Sequence, residues 1–300
     1  MDINKYSPKG RMSTKHVFSV SDLEEGDIYE ILHLARKLKQ KQQVKEKLGV
    51  FEGKNVAIML KSSSSRIRIS FELAINRIGG KTLYLSPADE DFYRGLTYLD
   101  AAHILGAYGV NGLVAKDLSA EAVAQLKNNP LPVINLKEGR DSACQVLANL
   151  YTVWETTGRL SGVKYAALGN FRKPATEGVN AYVKCGVEVT LCAPEALLPS
   201  GEALRGLVQF GDVALTTSAL QAVKNADVIT TVWDGGGDLA GYAVTEDLFG
   251  QTSAKYLHVL PVRHGEEVAD SVLYGARSAV FARAANLIYV EQAMVMLYFR

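Results

Sequence analysis

Cysteine is scarce. Cys144, Cys185 and Cys192 are the only three in 300 residues. They are too few and too irregularly spaced for a disulfide framework or a zinc site, so a reducing, cytoplasmic setting is the expectation. A surplus of one charge is missing too. The 33 Lys+Arg face 32 Asp+Glu, a formal net charge of +1. A protein built mainly to coat nucleic acid needs a basic excess to neutralise phosphates. That class is excluded, while a local anion site is not. No uninterrupted apolar run approaches the ~18 residues that span a bilayer, and Met1–Met12 is polar, without the apolar stretch of a signal peptide. Neither nucleic acid nor membrane is an expected partner. No internal repeat stands out, and no low-complexity segment beyond the four serines Ser62–Ser65.

What is present is core-forming material. The chain is 48% hydrophobic and 22% charged, as in soluble globular proteins, and its length suits two domains. Ser21 and Asp22 are N-cap candidates for a helix carrying Ile28, Ile31, Leu32, Ala35 and Leu38 at helical spacing. Beyond it, short apolar strands alternate with helices. Strands are predicted at Asn55–Leu60, Lys81–Leu85, Gly112–Ala115 and Val133–Asn135, with helices at Ser65–Arg77, Leu99–Tyr108 and Ala120–Lys127. After a long helix at Ser142–Thr157 the pattern repeats, with strands at Tyr165–Leu168, Glu188–Cys192, Val213–Thr216, Val228–Val232 and Tyr256–Leu260. Asn286–Phe299 reads as an amphipathic closing helix. This alternation predicts an α/β protein with two doubly wound parallel-sheet domains of similar size joined by a long helix. The domains fall at 1–140 and 141–285, with 286–300 returning to the first.

Ligands of open parallel sheets bind beyond the carboxyl ends of the strands, and three such ends are chemically unusual. The first is Lys61-Ser62-Ser63-Ser64-Ser65-Arg66-Ile67-Arg68. Serine hydroxyls, free N–H groups at a helix start and two arginines suit a phosphate or carboxylate. A serine-rich capping loop is the plain alternative, but capping does not explain arginines at the positive end of a helix dipole. The second is Tyr256-Leu257-His258-Val259-Leu260-Pro261, where His258 is either a satisfied core histidine or a catalytic one. The third is Asp227–Trp233 followed by Asp234 and three glycines, either a surface turn or a loop that lets backbone approach a ligand.

Taken in order, these pieces resemble the aspartate/ornithine carbamoyltransferase family over nearly the whole chain. Ser64-Ser65-Arg66-Ile67-Arg68, followed by Glu72 and Gly79-Gly80, is similar to the family's phosphate-gripping Ser-Thr-Arg-Thr-Arg stretch. His258-Val259-Leu260-Pro261 is similar to the ornithine branch's His-Cys-Leu-Pro, as are the sequel Glu266-Glu267-Val268, Arg277–Phe281 and Asn286. The resemblance implies a carbamoyl-phosphate domain, a domain for the amino substrate, and a homotrimer with active sites between subunits. It implies attack of a neutral amine on the carbamoyl carbon with phosphate leaving, helped by positioning and electrostatics. The chemistry needs no metal and no organic cofactor.

Carried over position by position, the resemblance implies that Arg66 and Arg68 neutralise phosphate while Ser64 and Ser65 complete its cradle, Ile67 lying between. Gln145 and His258 orient the carbamoyl group, and the Leu260 carbonyl faces the amine. Arg172 or Lys173 favours a carboxylate on an amino-acid substrate, and Asp234 partly replaces the aspartate that holds its amino group. Several positions depart from the family pattern. Ser142 stands where the family has histidine, Ala115 and Leu287 where it has arginines, and Val259 where the ornithine branch has cysteine. Arg172-Lys173 replaces an Asn pair. A lost hydrogen bond to a charged group withdraws about 1.5–3 kcal/mol, which Lys61, Arg94, Lys116 or Arg263 can offset. The expected function is ornithine-type carbamoyl transfer to the amine of an amino acid. The departures imply an alternative, an impaired member binding an anionic metabolite or a partner subunit.

Overall fold

The computed structural model describes residues 1–46, 48–60, 65–86, 94–116, 118–137, 142–172, 176–207, 211–233 and 236–299. Among the described residues the chain forms nine strands and eleven helices in two parallel sheets. It divides into two compact units. The first is Pro8–Leu147 with Asn286–Arg300; the second is Met1–Ser7 with Ala148–Ala285.

The first unit holds strands β1 (Asn55–Leu60), β2 (Lys81–Leu85), β3 (Gly112–Lys116) and β4 (Val133–Leu136) in the order β2-β1-β3-β4. Its helices are α1 (Glu25–Gln43), α2 (Ser65–Arg77), α3 (Tyr98–Ala107) and α4 (Ala120–Leu126). β1, β3 and β4 are buried almost throughout. That is why they read as continuous apolar runs rather than alternating ones. One face of the sheet packs Ala57, Met59, Leu113, Ala115 and Val133 against Ala102, Leu105 and Leu126.

The second unit orders its strands β7-β6-β5-β8-β9. They are β5 (Lys164–Gly169), β6 (Glu188–Cys192), β7 (Val213–Thr216), β8 (Val228–Val232) and β9 (Lys255–Tyr256). Helix α5 (Ala143–Thr157) leads in, and α6 (Thr176–Lys184), α7 (Gly201–Leu207), α8 (Ala219–Val223), α9 (Glu246–Gly250) and α10 (Asp270–Leu273) follow. The start of the chain is fastened here, where Asn4 donates to the Gly158 carbonyl (2.9 Å) and accepts from Trp154 Nε1 (3.1 Å).

The closing helix α11 (Val280–Tyr298) begins six residues before the predicted start. By length and composition it could cross a membrane, yet more than half of it is buried. Three of its polar residues after Ala285 bond to side chains of the first unit. Ser70 donates to Glu291 (2.9 Å), Lys39 to Asn286 (2.8 Å), and Gln42 to Gln292 (3.0 Å). Buried polar groups are tolerated when they are paired in this way.

Two other boundaries differ from the sequence reading by more than one residue. α1 starts at Glu25, because Ser19 and Asp22 cap a separate 3-10 turn over Val20–Asp22, and Glu24 with Asp27 caps the helix itself. The strand predicted at Tyr256–Leu260 ends at Tyr256. Tyr256 exchanges backbone bonds with Arg277 and Ala279 on its free side, and Pro261 has no N–H to extend a ladder.

Gly112 on β3 has no room for a side chain, since a Cβ there would strike the ring of fully buried Phe299. We expect Gly112→Ala to lower unfolding free energy by about 1–3 kcal/mol, as overpacking does, measured by urea denaturation. An unchanged midpoint would refute the packing described for Phe299.

Candidate functional site

In each sheet the strand order reverses at one point, and ligands gather beyond the carboxyl ends there. In the first sheet that point lies between β1 and β3, where Leu60 is in register with Lys116. α2 opens just past β1. Ser65, Arg66 and Arg68 are exposed on its first turns, and Ile67 is half-buried. Arg68 is held in place. Its Nε donates to Glu72 Oε1 (2.9 Å), and its guanidinium lies 4.1 Å from the Tyr84 ring centroid on β2. α2 itself is pinned by Ser70 to Glu291 and by Gln292 Nε2 to the Ala74 carbonyl (3.3 Å). Lys116 is buried at the end of β3, one residue beyond the core residue Ala115. Ser64 and Lys61, named from the sequence, lie outside the described residues.

Ser142 and Gln145 sit at the start of α5. Ser142 is buried, and its carbonyl accepts from the Gln145 N–H (2.9 Å). The Gln145 side chain is half-buried, as is Leu287 on α11. A groove lined by Ala102, His103, Gly106 and the segment 130–132 opens at the amino ends of β3 and β4. That is the opposite edge of the sheet from Arg66 and Arg68.

In the second sheet the reversal lies between β5 and β8. Gly169 ends β5 with φ +150°, and a Cβ there would collide with the Val232 carbonyl, so only glycine lets the two strand ends approach. Asn170 then fastens two loops. Its N–H donates to Val232 O (2.7 Å) and its Nδ2 to Gly236 O (2.7 Å), while its Oδ1 accepts from the Arg172 N–H (3.1 Å). The Arg172 side chain is exposed. Lys173 and Asp234 lie outside the described residues.

His258 follows β9 and is buried, with 1% of its surface exposed. Its Nε2 is 3.4 Å from Glu267 Oε2, and the other carboxylate oxygen accepts from the Arg263 N–H (2.7 Å). The imidazole lies nearly parallel to the Tyr256 ring, and the Tyr256 hydroxyl meets Thr231 at 2.8 Å. Burial alone would push the Glu267 carboxyl up. Hydrogen bonds from His258, the Arg263 N–H and Thr231 outweigh burial and hold it below its ordinary value. Val259 and Leu260 beside it are half-buried, and Leu260 packs on the sheet's core. Arg263 is exposed and paired with Glu266 (3.7 Å).

Arg66 and Arg68 thus lie at one strand edge, and Arg172, His258 and Leu260 at the corresponding edge of the other sheet; all were assigned a role from the sequence. Glu267, Asn170 and Tyr84 were assigned none. The one available signal for Glu267 was its place in the Glu266-Glu267-Val268 motif.

Glu267 stabilises the folded protein in its charged form. Its folded pKa lies below the unfolded value near 4.5. The stabilisation is therefore complete above that value and lost as pH falls through the folded pKa. Glu267→Gln should cost about 1–3 kcal/mol at neutral pH. Wild type should also lose stability more steeply than Glu267→Gln on the acid side of urea unfolding curves. Parallel curves would contradict the pairing.

Comparison with known proteins agrees with this geometry. The family model described as "Aspartate/ornithine carbamoyltransferase, carbamoyl-P binding domain" matches residues 15–155, and the one described as "Aspartate/ornithine carbamoyltransferase, Asp/Orn binding domain" matches residues 161–298. An ornithine carbamoyltransferase of Methanosarcina mazei is 31% identical over 94% of this chain and 98% of its own. One of Bacillus subtilis is 33% identical over 94% and 92%. A solved ornithine carbamoyltransferase from Pyrococcus furiosus superposes with a TM-score of 0.83 at 30% identity, covering 97% of each chain. With both of its domains matched in order and in full relatives, the chain belongs to the aspartate/ornithine carbamoyltransferase family.

Proposed function

We propose that this protein transfers the carbamoyl group of carbamoyl phosphate to the side-chain amine of ornithine. The observation that carries the reading is the pair of arginines at the head of α2, at the carboxyl edge of the sheet in the domain matched as carbamoyl-phosphate-binding. The neutral amine attacks the carbamoyl carbon. A C–N bond forms, the bond from the carbamoyl carbon to the bridging oxygen breaks, phosphate leaves with that oxygen and the electron pair, and the amine releases a proton.

Arg66 and Arg68 neutralise the phosphate, and Ser64, Ser65 and the first N–H groups of α2 cradle it. Glu72 does not prevent this. An exposed i,i+4 ion pair contributes about 0.3–0.5 kcal/mol, against about 1.5–3 kcal/mol for each hydrogen bond to a charged group. A phosphate dianion therefore draws Arg68 away from Glu72. Gln145 and His258 orient the carbamoyl group, with Glu267 fixing the imidazole, and the Leu260 carbonyl faces the amine. Arg172 or Lys173 receives the carboxylate of ornithine, and Asp234 its amino group. Lys116 supplies a cation next to Ala115. The apolar side chains of Ile67, Val259 and Leu287 shape the site.

We read the working form as a homotrimer. Ile69 (55% exposed), Leu73 (43%) and Leu83 (46%) place apolar surface on α2 and on the edge strand β2, surface that a second copy would cover. A cytoplasmic setting belongs to the same reading and is supported by three buried cysteines, none of them in a disulfide.

Incubation with carbon-labelled carbamoyl phosphate and ornithine tests the proposal. Wild type should form labelled carbamoyl-ornithine, and Arg68→Ala should lower kcat/KM by about 10–100-fold, the loss expected for one charged contact. A folded wild type that transfers no label to ornithine would overturn it.

A further inference from the structure

A buried polar chain in the second unit takes no part in the reaction described above. Asn149 on α5, Tyr182 on α6 and Arg283 on α11 are 7%, 7% and 4% exposed. Arg283 Nε donates to Asn149 Oδ1 (2.8 Å), and Asn149 Nδ2 donates to the Tyr182 hydroxyl (2.8 Å). The Tyr182 ring is stacked on Tyr165 of β5, with centroids 4.9 Å apart. The Asn149 amide is therefore held on both sides. One grip comes from the first turns of α11, the other from a tyrosine clamped between a helix and the sheet.

Rotation of α5 about its axis would break both bonds and leave Asn149 and the Arg283 Nε–H short of partners in a buried place, which is costly. The chain thus fixes the azimuth of α5. Residues four apart on a helix differ by about 40° in azimuth and about 6 Å in height. Gln145 is four residues before Asn149 on the same helix, so it shares the face whose orientation is held.

We propose that Arg283, Asn149 and Tyr182 are positioning residues for carbamoyl phosphate, locking α5 so that Gln145 is aimed at the carbamoyl end of the ligand. This inference rests on the role given to Gln145 under the proposed function. It distinguishes the two ends of the ligand. The phosphate end is held by Arg66 and Arg68 on α2, which the Asn149 chain does not touch. Inorganic phosphate has no carbamoyl end and should not sense the lock.

Calorimetric titration of the full-length protein with carbamoyl phosphate and, separately, with inorganic phosphate reads this difference. Loss of about one hydrogen bond's worth of orientation in Asn149→Leu should weaken carbamoyl phosphate about tenfold while phosphate stays within about twofold. Tyr182→Phe, which removes only the acceptor hydroxyl, should show the same selective loss at about three- to fivefold. It decides the matter if Asn149→Leu does not fold. Asn149→Asp should restore wild-type binding, because a carboxylate still accepts from Arg283 and the Tyr182 hydroxyl can turn to donate.

Equal weakening of both ligands, or no weakening of either, in folded variants would overturn the proposal. Gln145→Ala separates this failure from failure of the underlying reading. If Gln145→Ala binds carbamoyl phosphate as wild type does, the role of Gln145 falls and the inference with it. If Gln145→Ala loses carbamoyl phosphate selectively while Tyr182→Phe does not, only the positioning proposal falls.

Discussion

Parallel pairing is the constraint on which the rest depends. Every strand in both sheets runs the same way as its neighbour. Every strand of a sheet therefore delivers its carboxyl end to one common edge, and the return path is a crossover on a sheet face. Residues far apart in the chain are collected at that edge with no further instruction. In the first sheet the edge gathers the head of α2 and Lys116. In the second it gathers Gly169, Asn170, Trp233 and His258. The amino-end edge carries short turns and, in the first sheet, the groove beside Pro132.

Placement alone does not aim side chains. Aiming comes from buried polar groups fastened on more than one side. Glu267 takes His258 on one oxygen and the Arg263 N–H on the other. Asn170 joins the loops after β5 and β8. Ser70 links α2 to Glu291 on the returning helix. Each such bond contributes only about 0.5–1.5 kcal/mol net, but an unmatched partner in the interior costs about 1–3 kcal/mol. That asymmetry makes these contacts specify orientation more than they add stability. They surround the candidate site on the second sheet and brace the helix that carries the arginines on the first.

The strands were legible in the sequence as short runs between helix and turn signals, at the exposed edges Lys81–Leu85 and Val213–Thr216 as well as in the buried centre. Asn55–Leu60, Glu188–Cys192 and Val228–Val232 are short apolar runs because helices cover both faces, and they form strands with the predicted bounds. Misplaced boundaries occur where a tertiary partner decides. β9 ends at Tyr256, which pairs with Ile229 of β8 on one side and exchanges backbone bonds with Arg277 and Ala279 on the other. The start of α11 was hidden because Arg283 interrupts the apolar pattern. Its guanidinium is buried against Asn149, which accepts from Nε across the interior.

At the site, arginines at a positive helix end and a histidine at a strand end were visible as local oddities. Their partners were not. Glu72 and Tyr84 reach Arg68 from a later turn and from a neighbouring strand, and Glu267 reaches His258 across a turn. Such contacts leave no periodic trace in sequence. The family resemblance supplied the order of the motifs, and the departures at Ser142, Ala115, Val259 and Leu287 define where this member has to solve the same problem with other groups.

The central claim is that the anion is gripped at the carboxyl edge of the first sheet by the arginines that open α2. A crystal structure of the protein soaked with carbamoyl phosphate addresses it most directly. The account predicts phosphate oxygens within hydrogen-bond distance of the guanidinium groups of Arg66 and Arg68 and of the first N–H groups of α2. Phosphate bound instead in the groove at the amino ends of β3 and β4, with Arg68 still closed on Glu72, would contradict it.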